Sequence, residues 1–505
     1  MTETVASIKP LLAVICPMIA APVIFLLRKH ANIREGTTLF AAVIQFSIII
    51  SMAPAIINGG VFTFRIIDIG VGIELGYRVD AFGLIFAITS SFLWILVSLY
   101  SIGYMRSLEE HAQTRYYFMF ALAIFSAVSI ALSENLITFY IFYEALTLST
   151  YWLVAHHEDK EAFAATRKYL VYLLSSGWFL FAAVVLTYAI SGTTRFADGG
   201  ILSSSAASGS TLIVLFVLFA LGSIKAAWMP FHAWLPSAMV APTPVSALLH
   251  AVAVVKAGVF GFVRIVCHVF GIELIGELGI GLWLGAVASI TMILGSFLAI
   301  GEDNLKRRLA YSTISQLSYI LFGVALLTPF GIKGAMVHIP FHGFMKITLF
   351  LCAGAIMVVT GKKEISQMAG IGKQMPVTML AFTIGALGMC GAPPVSGFIS
   401  KWFLGLGTIQ AGALIFLVVI LVSSLLDVVY FFPVVKTAFF DTPANAAEAT
   451  AADGGKIRRL EMEKPLYLFM VVPLALTALF SVIFFFFPDA FHLLDLVEIA
   501  VQNLF

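Results

Sequence analysis

Little of this sequence is charged. Asp, Glu, Lys and Arg make up 11% of its 505 residues and hydrophobic types 61%, whereas a water-soluble domain carries about a quarter charged residues. That balance excludes a soluble globular fold, because no soluble core could absorb so much apolar surface. Cysteine is equally sparse. Cys16, Cys267, Cys352 and Cys390 stand singly in or beside apolar runs, with no C-x-x-C spacing, so neither a disulfide framework nor a zinc or iron–sulfur site is indicated. No cofactor or metal of the chain's own is expected, and any redox chemistry would belong to a partner. No basic patch marks a nucleic-acid surface. The first apolar run, 11–27, is followed by Arg28, Lys29 and His30, the reverse of signal-peptide charge order, and is expected to be an uncleaved span.

What is present is one apolar run after another. Spans are predicted near 11–27, 38–58, 80–103, 116–133, 135–155, 170–191, 211–235, 245–267, 279–300, 309–328, 332–359, 376–408, 411–435 and 466–488, which makes an all-α polytopic membrane protein of about fourteen transmembrane helices. With the N-terminus outside, nineteen of the 29 Lys and Arg fall in loops on the inner side, six fall on the outer side, and four lie within spans. So uneven a division agrees with the positive-inside rule and places the chain in a cell (inner) membrane with its N-terminus on the outer side. A short outside hairpin is predicted over 61–68. The stretches 191–210 and 441–455 read as flexible loops. Past Pro488, His492, Asp495, Glu498 and Gln502 share one helical face, which predicts an amphipathic helix at the membrane surface or on a neighbouring subunit.

The most informative stretch is 225–258. It sets Lys225, His232, His250 and Lys256 among apolar residues and prolines. A lysine at the bilayer centre costs roughly 2.5–3.5 kcal/mol, so each is a functional candidate by default. Pro230 and Pro236 each remove a helical hydrogen bond, which predicts a broken helix beside the charge; such a break is tolerated where it lines a protein-buried or wet cavity. Glu144 lies mid-span and is the expected partner of Lys225. Opening that pair would let the lysine release a proton, a change worth about 4 kcal/mol. His250 and Lys256 would stand roughly 9 Å apart on one regular helix and about 120° around it, joined through water. His338, His342 and Lys346, at i, i+4 and i+8, form a strip suited to proton relay. A metal site at those histidines is disfavoured, because no carboxylate accompanies them. Farther on, Pro393 and Pro394 interrupt another span just before Lys401, and Asp427 is buried in the next. Lysine before the break in one half and after it in the other is the order expected of two inverted five-helix repeats, 116–267 and 279–435, with discontinuous helices 7 and 12. Segments 1–110 and 466–505 would flank them.

The run from Lys225 to Arg264, including Ala-Pro-Thr-Pro-Val-Ser-Ala-Leu-Leu-His250, resembles the proton-conducting antiporter-like subunits. So do Leu305-Lys-Arg-Arg-Leu-Ala-Tyr-Ser-Thr-Ile-Ser-Gln-Leu-Ser-Tyr319 and Pro-Pro-Val-Ser-Gly-Phe-Ile-Ser-Lys401. That family is shared by respiratory complex I, Mrp-type cation/proton antiporters and membrane-bound hydrogenases. The resemblance implies fourteen helices with the seventh and twelfth broken, and a line of charges along the membrane midplane. By position it assigns Glu144 and Lys225 to the family's glutamate–lysine pair, Lys256 to the central lysine of one branch, His250 to the histidine of another, and Lys401 to the terminal residue. Lys401 favours a likeness to the Mrp D-type subunit; Asp427 departs from the small or amide residue expected there.

The expected function is therefore a proton-translocating channel subunit of a larger assembly. Its partners would be other membrane subunits of an Mrp-like or complex I-like complex, a soluble iron–sulfur, hydrogenase or dehydrogenase arm, and lipid, with no nucleic acid. The competing readings are a stand-alone secondary transporter and a non-pumping scaffold for a soluble enzyme. Protons are favoured over sodium because the spans offer few clustered oxygen ligands.

Overall fold

The computed structural model describes residues 3–70, 73–442, 460–462 and 467–505. Most of the loop predicted over 441–455 lies outside the described residues. The first half contains helices α1 (Lys9–Leu26), α2 (Ala31–Ile50), α3 (Ala81–Ser107), α4 (Gln113–Ala131), α5 (Leu136–Val154), α6 (Lys160–Ser191), α7 (Gly209–Gly222) and α8 (Val254–Arg264). The second contains α9 (Ile280–Ile300), α10 (Leu305–Ala325), α11 (Pro329–Thr360), α12 (Pro376–Cys390), α13 (Gly397–Gln410), α14 (Leu414–Phe439), α15 (Tyr467–Phe486) and α16 (Leu493–Gln502).

The ends of these helices follow from local chemistry. Asp80, Asn135, Asp159, Asn304 and Thr328 each accept a hydrogen bond from a backbone N–H of the first turn that they precede, satisfying donors a helix cannot pair internally. Gly192 and Gly361 close α6 and α11 in the left-handed conformation that glycine adopts without a Cβ penalty.

Among the described residues, 10 helical stretches are long and apolar enough to cross a membrane. Their burial is graded. The 243–270 stretch is wholly enclosed, and α3 and α11 nearly so, while α14 faces mostly outward. The outward faces are apolar, with Leu282, Trp283, Ile415 and Leu425 all exposed. A belt of that size is a surface for lipid, since water would penalise it.

The expectation of an all-α chain needs one addition. Strands β1 (Glu3–Ala6), β2 (Gly60–Gly70) and β3 (Ile73–Val79) form a small sheet in that order, with β1 parallel to β2 and β2 antiparallel to β3. The alternation read over 61–68 is thus a hairpin strand.

Helix α16 also corrects an expectation. Its Leu493, Leu496, Val497, Ala500 and Val501 are buried against α3 and α11 of the same chain, and Glu498 meets Lys333 at 3.1 Å. The apolar face is covered by the chain's own helices, not by a neighbour or the membrane surface. Leu496→Ala is expected to leave a cavity costing roughly 2–5 kcal/mol. Limited proteolysis in detergent should then release the last residues well before the remainder of the chain is cut.

Candidate functional site

The site begins where helix α7 stops. At 14 residues it is about 21 Å long, too short for a hydrocarbon core of about 30 Å. A single 3₁₀ turn, Ile224–Ala226, carries Lys225 beyond it, and Ala227 then turns the chain at φ 55°, a conformation costing an L residue roughly 1–2 kcal/mol. The break therefore starts where α7 ends at Gly222, ahead of Pro230. Pro236 does not break anything: it lies inside the short helix Trp234–Ser237, in a first turn where a missing N–H has no partner to lose. Pro393 and Pro394 lie between α12 and α13, in the second interruption, which opens at Gly391 with φ 77°.

Lys225 is fully buried. Its Nζ donates to the Tyr143 carbonyl at 2.6 Å, sits 3.3 Å from the centre of the Tyr143 ring, and stands 3.5 Å from Glu144 Oε1. The carboxylate fits because α6 presents Gly177 opposite it, where a Cβ would lie 2.6–2.8 Å from the carboxylate atoms. The predicted pair thus exists, held loosely: the ammonium's short hydrogen bond goes to the backbone.

At the other end Lys401 and Asp427 form a tighter pair at 2.7 Å. Asp427 also accepts from Gln316 Nε2 at 2.8 Å and from the Tyr430 hydroxyl at 2.5 Å, and Lys401 donates to Ser424 at 3.0 Å. A buried carboxylate with three donors is well compensated. Asp427, which fits no expected family position, is the counter-charge of Lys401.

Between the pairs lie the remaining predicted residues. Lys256 Nζ is 2.7 Å from His342 Nδ1. The rings of His342 and His338 stack at 5.6 Å, and His338 Nδ1 is 2.8 Å from Ser400 Oγ, next in sequence to Lys401. Lys346 donates to the Leu309 carbonyl at 3.2 Å and to the Ser312 hydroxyl. His250 bonds Thr313 Oγ1 at 3.0 Å. The regular-helix relation expected of His250 and Lys256 is not found, because 248–252 is a wide π turn that shifts the phase of the residues after it. Lys256 instead faces α11. Among the described residues no carboxylate lies within 4 Å of Lys256 or Lys346.

Helix α10 supplies a set of partners that sequence reasoning left without roles. Ser312, Thr313, Gln316 and Tyr319 are buried; they bond, respectively, Lys346, His250, Asp427 and Ser424. The signal was the spacing i, i+4 and i+7 of Ser312, Gln316 and Tyr319, a polar stripe along an apolar helix. Arg264 is the last residue of α8. There it is buried against Asp80 at 2.5 Å, with its guanidinium over the Phe82 and Phe260 rings.

Each histidine in the row keeps one ring nitrogen, Nε2 of His250, His338 and His342, buried without a hydrogen-bond partner among the described residues. Such nitrogens are natural partners for water. A cavity of about 780 Å³, lined by His232, Pro236, Lys306 and Tyr311 among others, opens beside the first break.

Two broken helices, each next to a buried lysine with a carboxylate partner and joined by a histidine-bearing helix, define a class. It is a polytopic membrane subunit whose interior is a row of charges. Comparison with known proteins gives the family. Residues 133–427 match the family model described as "NADH:quinone oxidoreductase/Mrp antiporter, TM", and 67–117 match that for the complex I chain 5 N-terminus. The chain is similar to NADH-quinone oxidoreductase subunit N of Desulforudis audaxviator, 33% identical over 90% of this chain and 91% of that one. It is also 33% identical to hydrogenase-4 component B of Escherichia coli over 65% of this chain and 50% of that one. A further likeness, at 31% identity, is to a putative antiporter protein of Staphylococcus aureus, covering 82% of this chain and 53% of that protein. In fold it matches a chain of the Mrp complex from Dietzia sp. with TM-score 0.83, 24% identity and coverage of 99% and 98%. The chain belongs to the family of antiporter-like membrane subunits.

Gly258 of α8 allows the break to pack: a Cβ there would overlap the backbone of Lys225 and Ala226. Gly258→Ala is expected to cost roughly 1–3 kcal/mol through overpacking, read as a lower melting temperature in detergent. It should also displace Lys225 and reduce ion movement even in the protein that remains folded.

Proposed function

We propose that the chain carries protons along the buried row from Glu144 and Lys225, through Lys256, His342 and His338, to Lys401 and Asp427, with His250 and Lys346 flanking it. The observation that carries the reading is the Lys256–His342 contact at 2.7 Å. A hydrogen bond that short between an amine and an imidazole needs one donor and one acceptor, so the two groups share a proton. A proton arriving on both would break the bond and push one charge onward.

The loose Lys225–Glu144 pair is the natural switch, since separating it removes the counter-charge of a lysine far from water. Proton uptake is assigned to the cavity beside the first break, where His232 lies on the wall. In this reading the chain crosses the membrane fourteen times, with 116–267 and 279–435 as inverted repeats between the segments 1–110 and 466–505. A lysine next to a helix break in each segment, before the break in one and after it in the other, supports such repeats. The N-terminus lies, on the same reading, on the outer side of a cell (inner) membrane.

Membrane-subunit partners accord with the multi-subunit complexes in which the fold neighbours occur, the Mrp complex and a membrane-bound sulfane sulfur reductase. The partners proposed here are the other membrane subunits of such an assembly, with a soluble redox arm in the case of a redox-driven pump. Purification in mild detergent distinguishes the two: iron–sulfur, flavin or nickel subunits accompany the chain in a redox pump, and only membrane-embedded subunits in an antiporter.

Lys225→Ala and Glu144→Gln are expected to reduce coupled proton movement at least ten-fold in proteoliposomes carrying the whole assembly, without loss of assembly. Movement at the unsubstituted rate in Lys225→Ala would overturn the mechanism. Asp427→Asn should act differently. It leaves Lys401 buried without its partner, a loss of roughly 3–5 kcal/mol, so reduced thermal stability should accompany the lost transport.

A further inference from the structure

Away from the row, four residues that the proton path does not use converge where helices α3, α4 and α5 end or begin. Glu110 and His111 come from the connection between α3 and α4; His156 and His157 follow α5. Glu110 Oε2 stands 3.6 Å from His156 Nε2, 3.7 Å from His157 Nδ1 and 3.9 Å from His111 Nδ1. The ligand atoms of Glu110, His111 and His156 all lie within 4.8 Å of one another.

His156 is the informative member. It is fully buried, and neither ring nitrogen has a hydrogen-bond partner among the described residues; the Glu110 oxygen at 3.6 Å is beyond hydrogen-bond reach. A buried imidazole left so is uncompensated, and a group that satisfied it would remove that cost. Other contacts do not compete for the site. Arg115 donates to the His156 carbonyl at 3.0 Å and pairs with the Glu158 carboxylate, so it steadies the loop while leaving the ring nitrogens open. Positive φ at Glu109, Ala112 and Glu158 holds both connections in conformations that L residues seldom adopt.

We propose that Glu110, His111 and His156, with His157 as fourth ligand, form a binding site for a divalent cation of the zinc class. Three imidazoles and one carboxylate are a borderline donor set; calcium and magnesium would require more oxygen. In a tetrahedral site with bonds of about 2.0–2.1 Å, neighbouring ligand atoms lie roughly 3.3–3.4 Å apart. The separations from Glu110 are 3.6–3.9 Å and the ligand atoms of Glu110, His111 and His156 lie within 4.8 Å of one another, so closing around an ion takes side-chain movements of up to about 1.5 Å, with His157 swinging in as the fourth ligand. Glu110 and His157 also line the cavity beside the first helix break, and His111 is half exposed, so an ion can enter from water. A bound cation would tie three helix ends together at the wall of that cavity.

The test uses the full chain in its native assembly, without a polyhistidine tag and stripped with a chelator. Zn²⁺ binding is followed by calorimetry, and Co²⁺ replaces it to read coordination by visible absorption. One site with the intense absorption of tetrahedral cobalt is expected. Glu110→Gln and His156→Ala should each weaken Zn²⁺ at least ten-fold, and His492→Ala, a change at an exposed histidine, should not. If His156→Ala fails to fold, His111→Ala, at a half-exposed ring, makes the same comparison. Zn²⁺ affinity unchanged within two-fold in these variants, or cobalt bound without tetrahedral absorption, would overturn the assignment.

Discussion

Four lysines are buried among the helices, and the rest of the structure is arranged around that fact. An ammonium in such a place has to find oxygen, a π face or an acceptor nitrogen inside the protein. Lys225 finds a backbone carbonyl and a tyrosine ring, Lys256 an imidazole, Lys346 a carbonyl and a serine, and Lys401 an aspartate. No two solutions are alike. A purely structural requirement would be met equally well by four closed ion pairs, whereas graded partners are what a path with steps requires.

Three of the lysines, Lys225, Lys256 and Lys401, lie near places where α7, the π turn before α8 and α12 depart from regular geometry, while the carbonyls that accept from Lys225 and Lys346 belong to Tyr143 and Leu309, inside the continuous helices α5 and α10. Each departure carries its own cost, and glycines meet part of it. Gly177 makes room for the Glu144 carboxylate, Gly258 for the turn after Lys225, and Gly391 for the stem of Lys401, where a Cβ would lie 2.6 Å from Cδ. Charge placement and backbone irregularity are thus one feature seen twice.

This coupling explains what the sequence revealed and what it hid. Charged side chains and prolines in apolar runs stand out because their cost in a bilayer is so large, and each of the nine titratable residues singled out on that ground is in fact buried or half-buried within the helices. Pairings were harder to see. Lys256 and His342 are 86 positions apart, and a π turn, which leaves no mark in hydrophobic periodicity, decides that they face each other. Lys401 and Asp427 meet across a change of helix. The α10 stripe of Ser312, Gln316 and Tyr319 escaped assignment because neutral polar residues are tolerated in spans without a functional reason. The amphipathic pattern of 491–504 showed that one face is covered, but periodicity cannot say by what. Glu110, His111, His156 and His157 lie in connections, where a histidine is ordinary until the fold brings four such groups together.

The count of charges along the row carries the argument one step further. Among the described residues four buried lysines share two carboxylates along the row, half-buried Glu144 and buried Asp427, and these sit at the two ends. The two central lysines, Lys256 and Lys346, have an imidazole and neutral oxygens as partners in place of a carboxylate. A proton added at one end raises the repulsion on the next site, and a carboxylate drawn away does the same from behind. Opening the loose pair at Lys225 is the smallest structural change that alters this balance, because the tight pair at Lys401 has three further hydrogen bonds to lose. On the proposed proton path, this asymmetry between the two ends has disturbance start at Glu144 and meet resistance at Asp427.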